Sequence, residues 1–305
     1  MTFERMIFTW FIVSTLIFSV DVCAFQSVGS SIEDIQQSQF EDQFETILVD
    51  EKLVPVVIQE SNTAITRGVA VLLGESGRNP FSQHGLKHLT RSLNDVGWVT
   101  MVMPAPDDAF WPEEQQNQEP ATTSADTTEA AQTDAAEQGQ QTEEPEQPDV
   151  HAKSANSHIE QQAFERHEQA LIMQMQAITQ KTQQYPGFFL VIAQGTSAAW
   201  LTKVYSEKKL GDPDGLVVIS PHWPDREYNQ QLPQLTSQTQ MPLLDIYTPW
   251  DTNWAKSTVV QRKVQSIKGL KLMYRQRELT GQKLDPQQFQ RLGKEIYGWL
   301  THMGW

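Results

Sequence analysis

Residues Phe188 to Trp200 read FFLVIAQGTSAAW. A wholly apolar run, Phe188 to Ile192, meets a corner of small residues, Ala193 to Ser197, and the helix formers Ala198, Ala199, Trp200 and Leu201 follow at once. This is how a buried parallel strand turns sharply into a helix. It is also the setting of the nucleophile elbow G-x-S-x-G, whose tight turn lifts one side chain clear of a sheet. In register with the strand end, Ala193 and Ser197 occupy the small positions and Gly195 occupies the nucleophile's place. Glycine has no side chain with which to attack. A second register, Gly195-Thr196-Ser197-Ala198-Ala199 as G-x-S-x-A, makes Ser197 the nucleophile but needs the strand to run on through Gln194 and Gly195. Ser197 also suits a plain helix N-cap.

Outward from this corner, the chain of 305 residues is long enough for one α/β domain with a large core. Arg5 precedes an apolar run from Ile7 to Val20, and Val22-Cys23-Ala24 offers a small-residue cleavage site. The run falls short of the roughly 20 residues a spanning helix needs. The sequence therefore predicts a signal peptide over 1–24, cleaved after Ala24, a periplasmic or secreted protein, and no membrane span after cleavage. Cys23 is the only cysteine, so cleavage leaves no disulfide, thiolate or cysteine metal site. No histidine and carboxylate cluster has ligand spacing, and neither cofactor nor metal is expected.

The net charge of −15 is unevenly spread. Thirteen acidic residues and no Lys or Arg lie between Asp107 and Val150, and the rest of the chain is near neutral. No basic stripe exists to meet a nucleic acid, so none is expected as a partner. Residues 107–157 are rich in Gln, Glu, Thr, Ala and Pro, a composition that cannot offset its ordering entropy by burial. A disordered acidic insert is predicted there, acting as a solvated spacer or as a tether for a cation or a basic partner. Residues 25–45 read as a loose polar leader with one short helix around Ile32 to Phe40, leaving 46–106 and 158–305 as a single domain.

Within that domain the order of elements is regular. Ile47 to Ser61 reads as an antiparallel pair at a sheet edge, where Pro55 is tolerated. Val69 to Leu73 is a buried strand, Gln83 to Val96 a helix closed by Gly97, and Trp98 to Met103 the next strand. His158 to Gln184 has helical periodicity and leads into the elbow, whose helix runs to about Ser206. Gly215 to Ile219, Met241 to Tyr247 and Leu270 to Arg275 read as strands, and Asp285 to Met303 as a terminal helix. Strands alternating with helices predict a mostly parallel sheet covered on both faces.

An elbow enzyme also needs an acid after a later strand and a histidine after the last. Asp251 fills the acid slot, although a turn or N-cap aspartate looks the same, and Asp245 lies inside its strand. The segment Gln276 to Lys283 holds no histidine, and without a base neither serine nor threonine is nucleophilic near neutral pH. His222 alone falls at the carboxyl edge of the sheet, as a base or as a structural histidine. Gly74, Glu75, Ser76 and Thr196 are the candidates to supply backbone N–H groups to an oxyanion, with a plain glycine turn as the alternative for Gly74 to Gly77.

The strand Gly68-Val69-Ala70-Val71-Leu72-Leu73, the helix end Gly97-Trp98-Val99-Thr100, the elbow Gln194-Gly195-Thr196-Ser197-Ala198 and the late Tyr274-Arg275-Gln276 occur here in an order that resembles a family of secreted bacterial proteins, a domain of unknown function similar to α/β hydrolases. The resemblance covers Thr46 to the end apart from the insert. It implies an α/β-hydrolase-like fold and an envelope compartment, and no established reaction. Three functions follow as expectations. One is a hydrolase-fold protein with a degenerate triad that binds an unknown small molecule or envelope component. Another is a weak serine esterase, lipase-like enzyme or peptidase using Ser197, Asp251 and His222. The last is an envelope protein whose function lies in the insert.

Overall fold

The computed structural model describes residues 44–82, 85–106, 158–281 and 286–305. The expected signal peptide, leader helix and acidic insert lie outside the described residues. Eight strands form one sheet: β1 (Phe44–Val49), β2 (Lys52–Gln59), β3 (Gly68–Leu73), β4 (Trp98–Met103), β5 (Phe188–Gln194), β6 (Gly215–Ile219), β7 (Leu243–Tyr247) and β8 (Tyr274–Glu278). Their spatial order is β1-β2-β4-β3-β5-β6-β7-β8, antiparallel from β1 to β4 and parallel from β4 onward. Pro55 lies in β2 where only β1 is a partner, since β4 pairs only with Val57 to Gln59. Its missing N–H therefore takes nothing from the pairing of β2 with β4.

Among the described residues six helices cover the sheet: α1 (Lys87–Asn94), α2 (Gln161–Thr182), α3 (Gly195–Ser206), α4 (Arg226–Gln238), α5 (Asn253–Lys268) and α6 (Pro286–His302). One apolar layer joins Leu89 and Leu93 of α1 to Phe289, Leu292, Ile296 and Trp299 of α6. The opposite layer joins Phe164, Leu171, Met175 and Ile178 of α2 to Trp200 and Leu201 of α3. Every residue of β3, β4 and β6 is buried, which is why these strands read as unbroken apolar runs. Each fully buried Val or Leu contributes about 2 kcal/mol relative to its exposed state.

The topology places a crevice. After β3 the chain goes to β4 on one side, then returns to β5 on the other, with Leu73 level with Ala193. The helices that follow β3 and β5 pack on opposite faces, so their connecting loops part above the strand ends. Ligands bind at such switch points in open parallel sheets.

Two local expectations need correction. The helix after β3 is shorter than Gln83 to Val96, with α1 running only from Lys87 to Asn94. The last strand is Tyr274–Glu278, not Leu270 to Arg275. Leu270 takes a positive φ of 53° and Leu272 is 91% exposed, so the apolar residues there are not buried. As an edge strand, β8 pairs only with β7 and turns Tyr274 and Gln276 toward it. Helix α4, where no element was expected, carries Pro233 in its interior, a residue that disfavours a helix. Asp225 offsets this at the N-cap, accepting the N–H groups of Glu227 and Tyr228.

Candidate functional site

Strand β5 stays extended through Gln194, and the chain then reverses at Gly195, whose φ is +59°. The corner is therefore centred on Gly195. A Cβ built there would lie 2.3 Å from Oε1 of Glu75, 2.4 Å from its Cδ and 2.6 Å from its Cγ. The Glu75 side chain, delivered by the loop after β3, thus occupies the space that an elbow nucleophile would need. Glu75 is buried, and its Oε2 pairs with Nε of Arg78 at 3.1 Å, the Arg78 side chain being two-thirds exposed.

Oε1 of Glu75 faces Nε2 of His222 at 3.8 Å, beyond hydrogen-bond reach. His222 is held by its other nitrogen, Nδ1, which lies 2.9 Å from the carbonyl of Ser220. A carbonyl only accepts, so Nδ1 carries a proton and donates it there. Ser220 itself is a non-glycine residue at φ +53°, its hydroxyl donating to Oδ1 of Asp251 at 2.7 Å. Asp251 also accepts the Thr248 hydroxyl on Oδ1 and the Thr248 N–H on Oδ2 at 2.8 Å. It closes a turn after β7 and makes no bond to His222.

These groups rim a cavity of about 220 Å³. Its lining includes the polar Glu75, Arg78, Ser220, His222, Asp251 and Gln288 and the apolar Leu86, Ile219, Trp250, Leu279, Phe289 and Leu292. Gln288, in the first turns of α6, is buried, and its Oε1 has no hydrogen-bond partner among the described residues.

Ser197 lies elsewhere. As the third residue of α3 it is fully buried, and its hydroxyl is 3.2 Å from that of Ser76, which is 3.1 Å from Nε2 of His167 on α2. The three side chains form a closed polar chain on the α2 and α3 side, and Ser197 does not line the cavity. Among the oxyanion-loop candidates, the Gly74 N–H is committed to the carbonyl of Met103 at 3.2 Å, and Thr196 is fully buried with its hydroxyl unpartnered among the described residues. The structure brings together Gly195, Glu75, His222 and Asp251 at one cavity, and leaves Ser197 and Ser76 behind it. Sequence reasoning missed Arg78, Ser220 and Gln288. The charged Glu75 and Arg78 in an otherwise small-residue loop were the available signal, whereas Gln288 is one glutamine among many. Among the described residues, no three His, Asp or Glu side chains come together to hold a metal ion, and no helix is long and apolar enough to cross a membrane.

The family model described as "Protein of unknown function (DUF3530)" matches residues 27–302. The chain belongs to this family. No curated protein matches the sequence. Among solved structures, Est1E from Butyrivibrio proteoclasticus is similar at 7% identity and a TM-score of 0.52, covering 85% of this chain and 99% of its own. A putative dienelactone hydrolase from Klebsiella pneumoniae subsp. pneumoniae is similar at 9% identity and a TM-score of 0.50, covering 85% and 97%. The thioesterase domain from the curacin biosynthetic pathway is similar at 8% identity and a TM-score of 0.51, covering 83% and 98%. With the eight-stranded, mostly parallel sheet, these likenesses give this DUF3530 chain the α/β-hydrolase fold.

Proposed function

We propose that this chain is a periplasmic or secreted hydrolase-fold protein that lacks an intact Ser-His-Asp triad and acts by binding through the cavity above the sheet. The observation that carries this reading is the pairing of Gly195 with Glu75, in which a carboxylate fills the space of the missing nucleophile. The envelope compartment rests on the apolar run Ile7 to Val20 and the small residues before Phe25. Residues 46–106 and 158–305 act as one domain in this reading, and the acidic 107–157 as a spacer.

The rival reading makes Ser197 a nucleophile, and its support is the contact chain from Ser197 through Ser76 to His167. It needs the first turn of α3 to open, because the hydroxyl has no exposed surface. Reaction of the full chain with a fluorophosphonate probe, with turnover of p-nitrophenyl acetate measured alongside, separates the two. Neither labelling nor enzyme-dependent turnover is expected. Labelling mapped to Ser197, with turnover lost in Ser197→Ala, overturns the binding reading.

A further inference from the structure

We infer that the cavity over Gly195 recognises a primary ammonium group carried on a compact apolar body. This names the ligand class for the binding site proposed above and rests on that reading. Two acceptor oxygens of residues lining the cavity meet no donor within hydrogen-bond reach among the described residues. Oε1 of Glu75 has only Nε2 of His222 opposite, at 3.8 Å. Oε1 of Gln288, in a residue 7% exposed, is unpartnered among the described residues. A donor group placed against the Glu75 and Gln288 oxygens would satisfy them.

The charge on the rim has the same sense. Glu75 and Asp251 bring two carboxylates against the single cation Arg78. Arg78 holds only Oε2 of Glu75, from a largely exposed position where ion pairs are weak and screened, so Oε1 stays available. Both oxygens of Asp251 already accept hydrogen bonds from Thr248 and Ser220, so it contributes chiefly its charge. An ammonium supplies three N–H donors and a charge that a hydroxyl or carboxylate lacks. Leu86, Ile219, Leu279, Phe289 and Leu292 also line the cavity and give apolar surface for the rest of the molecule, with the Trp250 and Phe289 rings suited to a cation or a chain. Gly195 is then more than a lost nucleophile: any side chain there would push the Glu75 carboxylate out of the cavity.

The test uses three probes with the same tail, hexylammonium, hexanoate and 1-hexanol, titrated into the full chain at pH 7.5 by calorimetry or NMR. Hexylammonium is expected to bind one-to-one and at least ten-fold more tightly than either of the others. Glu75→Gln should weaken hexylammonium at least ten-fold and Gln288→Ala about three-fold, whereas Lys181→Gln, remote from the cavity and paired with Glu45, should change nothing. Thermal melting by circular dichroism checks that each variant folds, and Gln288→Ala carries the test if Glu75→Gln does not. Binding of hexanoate as tight as that of hexylammonium, absence of binding by all three, or indifference to the folded cavity variants overturns the inference. The fluorophosphonate experiment judges the binding reading separately: a labelled protein that still selects hexylammonium loses that reading and keeps this one.

Discussion

Two buried carboxylates in this molecule are treated in opposite ways. Asp245, within β7 and fully buried, receives Nε and Nη2 of Arg262 at 2.8 and 3.0 Å, the Tyr274 hydroxyl at 2.7 Å and the Gln276 amide at 2.9 Å. Burial, reinforced by Asp245, pushes the Tyr274 hydroxyl well above its usual range, so it stays protonated and donates. The remaining guanidinium nitrogen, Nη1, donates to the Thr258 hydroxyl at 2.6 Å. Every charge in this cluster is paid for in hydrogen bonds, and the cluster joins α5 to β7 and β8. Glu75 has one exposed arginine on one oxygen and a cavity in front of the other. A saturated carboxylate holds structure together; one left open at a cavity is a recognition group.

This contrast is broken or sharpened most strongly at Arg262. Arg262→Met leaves Asp245 charged and short of its main partner, and should cost about 3–5 kcal/mol in urea unfolding. Adding Asp245→Leu should return most of that loss, because neither charge is then stranded. A loss under about 1 kcal/mol in the single variant would remove the structural role of the cluster. Gly195→Ala comes next, at about 2 kcal/mol, since it puts a Cβ at positive φ and against Glu75. Placing Glu75→Ala in the same chain should recover the part due to the clash and leave the backbone strain. Equal losses with and without Glu75 would mean that the two residues do not share space. The smallest effect belongs to Glu75→Gln alone, expected within about 1 kcal/mol of the parent by the same measurement, since the group it alters holds little else together. A large loss there would make Glu75 a second Asp245, a structural group instead of an open one.

Much of the fold was legible because buried parallel strands must be apolar on both faces. Gly68 to Leu73, Trp98 to Met103, Phe188 to Gln194 and Gly215 to Ile219 announce themselves that way. The edge strand Tyr274–Glu278 did not, because its inward residues are polar and serve Asp245, while the nearby apolar Leu270 and Leu272 face solvent. Helix α4 was hidden by Pro233. Of the site, Gly195, Asp251 and His222 fall at the predicted sheet edge, yet His222 spends Nδ1 on a backbone carbonyl and Asp251 spends its oxygens on Thr248 and Ser220. Hydrogen-bond partners of that kind depend on where loops settle, and no local pattern encodes them.

By itself the amino-acid sequence determined that a strand breaks into a helix at a residue with no side chain, because apolar periodicity and glycine's freedom at positive φ are local properties. Only the tertiary structure decided what fills the space above that glycine. Glu75 and Gly195 are 120 positions apart, and they meet because β3 and β5 are neighbours whose loops part at the same edge of the sheet.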